Sequence, residues 1–156
     1  MPDTLRTELE LRWSDCDQYG HLNNVALVRL MEEARIRLFG LPDQPSNFSP
    51  DRPKPALALL GTDTFTIVAG QRVEYVNELG YHGQSITAEA WLSRLGGKSF
   101  TMDCRFTDTA GETEYLIGSV TVVVMDLASR RPRAFTTRTS LRSMTSTRRR
   151  TGACSS

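Results

Sequence analysis

The chain has 156 residues, a formal net charge of +1, 39% apolar and 24% charged residues, the make-up of one soluble domain that buries about two-thirds of its unfolded surface. No run approaches the roughly 18 consecutive apolar residues of a membrane span, and the start, MPDTLRTELE, lacks the basic and apolar regions of a leader, so a cytoplasmic protein is expected. Cys16, Cys104 and Cys154 are odd in number and far apart, which argues against a disulfide framework and a paired-cysteine metal site.

In chain order, Leu9, Leu11 and Trp13 alternate with polar residues and predict a half-buried strand. A turn carrying Asp15, Cys16, Asp17, Tyr19, Gly20 and His21 follows. Cys16, set between two acids, is expected to be a buried spectator and not a reactive thiol. A helix is predicted from near Asn24 to Phe39, with Asn23 as N-cap and Gly40-Leu41-Pro42 as its stop. Leu27, Leu30, Met31, Ala34 and Leu38 share one face, and Arg29, Glu32, Glu33 and Arg37 the polar side. The first turn, residues 25–28, is apolar all round, which predicts burial on every side. Five prolines make residues 42–55 a loop.

The pattern then changes to strands at residues 56–60, 64–69, 72–78, 85–95, 99–108 and 114–126. Gly70, Gly80, Gly83, Gly96-Gly97 and Gly111 mark the turns between them. Val120, Val122 and Val124 alternate with Thr121, Val123 and Met125, so the last strand is apolar on both faces. One helix followed by antiparallel strands predicts an α+β domain, the helix covering one face of a curved sheet. That domain is expected to span residues 1–139. Residues 140–156, rich in Ser, Thr and Arg, are expected to be a basic, disordered tail. The arginines 130, 131, 133, 138, 142 and 148–150 can bind phosphates or simply be solvated. No aromatic interleaving accompanies them, so no nucleic-acid partner is expected.

The stretch WSDCDQYGHLNN carries the chemistry. It sets two carboxylates and a histidine directly before a helix start, whose unpaired N–H groups and partial positive charge attract anions. A carboxylate facing such a site can attack or hydrate a carbonyl. Asp15 is expected to fix the turn, while Glu32 and Arg35 suit an intrahelical ion pair. Asp15, Asp17 and His21 hold donor atoms for a divalent ion, but no further ligand cluster accompanies them, and neither a metal nor a cofactor is expected.

The pattern D-x-D-x-x-G-H-x-N-N, formed by Asp15, Asp17, Gly20, His21, Asn23 and Asn24, precedes a helix holding Glu32, Ala34 and Arg35. Together with Arg72-Val73-Glu74-Tyr75 and Leu95-Gly96-Gly97-Lys98-Ser99-Phe100, it resembles the hot-dog thioesterases of the 4-hydroxybenzoyl-CoA thioesterase type over about residues 5–136. The resemblance implies a long central helix wrapped by an antiparallel sheet, and two chains paired edge to edge with active sites between them. It implies an acyl-CoA thioesterase, a homodimer or homotetramer, acting on an acyl thioester of coenzyme A or of an acyl carrier protein. In that reading Asp17, His21 and Asn24 are catalytic: Asp17 is nucleophile or base, and N–H groups near Asn23 and Asn24 hold the oxyanion. Tyr19, Gly20, Asn23, Lys98, Ser99 and Arg131 would bind substrate. His21 also resembles the histidine of plant acyl-carrier-protein thioesterases, whose D-x-N-x-H pattern has Tyr19 in place of its asparagine here. A tyrosine common in the family three residues after the N-N pair is Leu27. The alternatives are a hot-dog hydratase or dehydratase and a non-catalytic acyl-thioester-binding module. No GxSxG elbow is present, consistent with carboxylate chemistry.

Overall fold

Strand β1 (Leu5–Glu10) opens the fold, with Leu9 fully buried and Arg6, Glu8 and Glu10 exposed. The computed structural model describes residues 4–40, 57 and 60–134. After Glu10 the chain leaves the sheet through a 3-10 turn at Trp13–Asp15. Leu11 stays buried, but Trp13 is 78% exposed. The predicted alternation therefore stops at the turn, which buries Asp15 instead of Trp13.

Helix α1 (Asn24–Phe39) begins and ends as its sequence dictates. The Asn23 side chain accepts a hydrogen bond from the Val25 N–H at 2.8 Å, and Gly40 takes φ 75° at the C-cap. A left-handed φ favours glycine, which has no Cβ to clash. Ala26, Leu27, Leu30, Met31, Ala34 and Phe39 are buried against the sheet. Val25, expected to be enclosed, is 77% exposed; its side of the first turn faces out of the single chain. Arg35 is also buried, with Glu32 at 3.6 Å as its ion-pair partner. Burial lowers the Arg35 pKa, and Glu32 opposes that shift.

Strands β2 (Thr64–Tyr75), β3 (Ser85–Leu95), β4 (Ser99–Thr107) and β5 (Glu114–Asp126) complete a five-stranded antiparallel sheet of order β1-β3-β4-β5-β2. Residues 64–69 and 72–78 were expected as two strands turned at Gly70. Residues 64–75 form one strand instead, with a β-bulge between Val68 and Gly70. The bulge inserts an unpaired residue without reversing the chain. Leu57 and Leu60, the described part of the strand expected at 56–60, lie in 3-10 turns. Leu57 is fully buried there. The remainder of that stretch, the loop at 42–55 and the tail from residue 140 lie outside the described residues.

The core sits between α1 and the inner face of the sheet. Ile86, Ala88 and Ala90 of β3, Phe100, Met102, Cys104 and Phe106 of β4, and Leu116, Val120, Val122 and Val124 of β5 fill it. Burial and the neighbouring Asp103 push the Cys104 thiol up to about 12, so it packs as a small apolar group. Cys16 is half-buried against the same core. This is the hot-dog fold: one long helix wrapped by a curved antiparallel sheet.

On the outer face, the buried carboxylate of Glu89 lies between two arginines of flanking strands. Arg6 Nε donates to it at 3.0 Å and Arg105 Nε at 2.5 Å. Burial alone would raise the Glu89 pKa, but the two guanidinium groups outweigh it and hold the carboxyl below its ordinary range. The folded state therefore binds fewer protons than the unfolded chain near pH 4. This contribution to stability is complete above the unfolded pKa and is lost as pH falls through the folded one. In acid-unfolding curves, Glu89→Gln is expected to lower stability at neutral pH and to flatten the decline below about pH 4.5. Parallel curves for the two proteins would remove Glu89 from that linkage.

Candidate active site

Residues 15–23 form a tight hairpin that delivers the chain into α1. Asn23 N donates to Asp15 O at 2.8 Å, Cys16 bridges Leu22, and Asp17 N donates to His21 O at 2.8 Å. Alternation decides which side chains face out. Leu22 is buried and Cys16 packs on the core, so Asp17 and His21, opposite each other one rung along, turn to the open side. Gly20 makes the reversal possible with φ 77°.

Asp17 is half-buried, and its Oδ1 accepts the N–H of Tyr19 at 2.8 Å and of His21 at 3.2 Å. Among the described residues, Oδ2 makes no hydrogen bond. The carboxylate is thus fixed by one oxygen and presents the other. At the adjoining helix start, Asn23 Oδ1 takes the Val25 N–H and Leu27 N donates to Asn23 O. The N–H groups of Asn24 and Ala26 have no partner among the described residues. Tyr19 in the hairpin, and Trp13 and Val25 on its two flanks in the chain, are each at least 75% exposed.

Asp15 does not join Asp17. Its side chain is buried and ion-paired to Arg29 of α1 at 2.6 Å, which ties the hairpin to the helix. Glu32 forms the expected intrahelical pair with Arg35 and is mostly exposed.

A third segment completes the corner. Leu22 N donates to Leu79 O at 2.8 Å, His21 bridges Gly80, and Tyr81 N donates to Gly20 O at 3.3 Å. Beyond β2, therefore, the chain runs alongside the hairpin. It brings Glu78 to 3.5 Å from His21 Nε2. A Cβ added at Gly80 would meet His82 Nε2 at 3.1 Å, so the His82 ring lies over Gly80, the residue that His21 bridges through its backbone. Glu78 carries no signal in the sequence, because only tertiary pairing brings it to His21.

Lys98, Ser99 and Arg131 lie elsewhere. Tyr75, just ahead of the Glu78 segment, pairs with Leu116 near the start of β5, whereas Ser99 pairs with Val123 near its end. That is ~23 Å of strand at about 3.3 Å per residue. Arg131 is beyond the same far end, where its carbonyl accepts from Asp126 N. Nearby, Arg130 stacks on the Phe65 ring at 5.0 Å and Arg133 is ion-paired to Asp63. The predicted site residues thus fall into two groups, at opposite ends of the sheet. A groove of about 500 Å³ lined by Arg72, Glu74, Trp91, Asp103, Ile117 and Ser119 lies on the outer face of the sheet and includes none of them.

A family profile described as the thioesterase-like superfamily matches residues 11–142, and the chain belongs to that family. A candidate acyl-CoA thioesterase from Xanthomonas campestris is 30% identical, with 76% of this chain and 90% of that one covered and a TM-score of 0.58. The PA2801 protein of Pseudomonas aeruginosa, a candidate thioesterase, is 23% identical over 84% of this chain and 91% of that one, with a TM-score of 0.67. The DHNA-CoA thioesterase of Staphylococcus aureus is 15% identical over 84% and 80%, with a TM-score of 0.66. A comparison with curated proteins found no match. No described helix is long and apolar enough to cross a membrane.

Proposed function

We propose that the protein is an acyl-CoA thioesterase, releasing a free acid and coenzyme A. The observation that carries this reading is Asp17, anchored through Oδ1 by two backbone N–H groups, with Oδ2 making no hydrogen bond among the described residues, in the hairpin that leads directly into a helix start. The carboxylate attacks the thioester carbonyl carbon or takes a proton from a water that does. The carbonyl oxygen gains the negative charge, and the N–H groups of Asn24 and Ala26 are the donors suited to hold it. Collapse breaks the C–S bond, and the thiolate leaves with little need of protonation because it is stable near neutral pH. The family and the Xanthomonas relative support the same chemistry.

Two copies are required in this reading. β2 is a sheet edge, and Ile67, Val68, Tyr75 and Val76 are exposed along and just beyond it. Two-fold pairing of β2 with a second copy is antiparallel, so the far end of one sheet comes beside the Asp17 corner of the other. Lys98, Ser99 and Arg131 then reach the phosphates of a substrate whose acyl group lies at Asp17. The same pairing covers a long open strand edge.

The test is thiol release from a panel of acyl-CoA and acyl-carrier-protein thioesters, with the oligomeric state read by sedimentation. Turnover of at least one thioester by a dimer or tetramer is expected. Hydration of a crotonyl thioester without thiol release, or tight acyl-CoA binding without chemistry, would overturn the proposal in favour of a hydratase or a binding module.

A further inference from the structure

We infer that Glu78 is a positioning residue for His21, an inference that rests on the hydrolytic reading above. Three chain segments lie side by side at the corner: Cys16 and Asp17, His21 and Leu22, and Leu79 and Gly80. His21 occupies the middle one, with Asp17 opposite on one flank and Gly80 opposite on the other. Gly80 itself has no side chain, and the His82 imidazole lies over it, with Nε2 3.1 Å from where a Cβ would stand. Glu78, two residues earlier and therefore on the same face, reaches diagonally across, as i, j−2 neighbours of an antiparallel pair do. Its Oε2 stands 3.5 Å from His21 Nε2. That exceeds a hydrogen bond and lies within ion-pair range, and a small rotation of the exposed Glu78 side chain closes it. Such contacts in unliganded sites tighten when substrate binds.

The consequence is an imidazole paired with Glu78 on a hairpin whose own carboxylate, Asp17, has a different task. Asp17 is fixed by backbone N–H groups and is only half exposed. Glu78 is 81% exposed and makes no other hydrogen bond among the described residues. By engaging Nε2, Glu78 selects the ring tautomer that carries its proton there and turns Nδ1 towards the substrate side. Among the described residues, Glu78 is the ionisable side chain within ion-pair distance of the His21 ring. Glu78 does not touch the reacting atoms; it acts through the ring.

Glu78→Ala and Glu78→Gln are to be compared with wild type by thiol release, alone and in a His21→Ala background. Glu78 is exposed, so both variants should fold. A roughly tenfold fall in kcat for Glu78→Ala, with KM within about twofold, is expected where an orienting contact to an acid–base group is lost. In the His21→Ala background the same change should have no further effect. Unchanged turnover, or an equal loss with and without His21, overturns the inference while leaving the thioesterase reading intact. If wild type releases no thiol from any thioester, that reading fails instead. The pairing is then judged by nitrogen-15 NMR of the His21 ring in mildly alkaline buffer. A predominant Nε2–H tautomer that shifts in Glu78→Ala supports it, and an unaltered ring spectrum overturns it.

Discussion

Asp17→Asn is expected to lower kcat by about 100-fold or more, the scale of a positioned acid–base group and equivalent to roughly 2.7 kcal/mol of barrier. The substitution is discriminating because of how the carboxylate is held. Oδ1 accepts from the Tyr19 and His21 N–H groups, and an amide oxygen in the same place still accepts both, though without the charge. The hairpin therefore persists, while the other oxygen becomes an NH2 group that neither attacks a carbonyl nor accepts a proton. KM and the unfolding midpoint should stay near wild type. Thiol-release kinetics and a thermal melt check this together, and unchanged turnover would exclude Asp17 from the chemistry.

The largest effect on stability is expected at Gly118, far from that chemistry in sequence. This residue of β5 is buried where Met31 of α1 and Cys104 of β4 approach the strand. A Cβ there would lie 2.5 Å from Met31 Cε and 2.9 Å from Cys104 Sγ. Met31 can swing its terminal methyl aside, but the short Cys104 side chain on a paired strand cannot. Gly118→Val should destabilise by about 1–3 kcal/mol through overpacking, a fall of several degrees in Tm for a domain of this size. Denaturant unfolding measures the loss, and Met31→Ala in the same chain should return part of it by opening space. A Gly118→Val protein as stable as wild type would mean that α1 does not press on β5 there.

Local signals in the sequence were sufficient for α1, β3 and β5. Cap, apolar face and stop place the helix between Asn23 and Gly40, and β-branched and aromatic runs between turn glycines place β3 and β5 at the residues observed. Gly70 makes β2 read as two strands, and the structure shows that its alternation also changes phase there. Thr64, Thr66 and Val68 pair with Asp126, Val124 and Val122, whereas after the bulge Gln71, Val73 and Tyr75 take the rungs opposite Val120, Gly118 and Leu116. A one-residue slip exchanges the two faces, and beside a glycine that resembles a turn. Val25 and Trp13 were expected inside because an apolar residue does not declare whether its neighbour is its own chain or another surface.

The corner around Asp17 was legible as a motif, and Asp15 proved to be the structural acid that its turn position suggested. Its partner could not be read. Arg29, Arg35 and Arg37 all lie on the helix, and only packing selects Arg29 for Asp15. Glu78 was hidden for a similar reason. It reaches His21 through a bridge between segments that the helix, a loop and β2 separate along the chain.

The strand order has a consequence for how the molecule acquires its activity. β3, β4 and β5 are consecutive and adjacent, so they can assemble by local hairpin closure. β1 and β2 dock on the two margins, and each must close a longer loop to do so, which slows its arrival. The Asp17 hairpin hangs from one margin and is tied to the chain that leaves the other. During refolding, recovery of turnover should therefore lag behind recovery of the central meander.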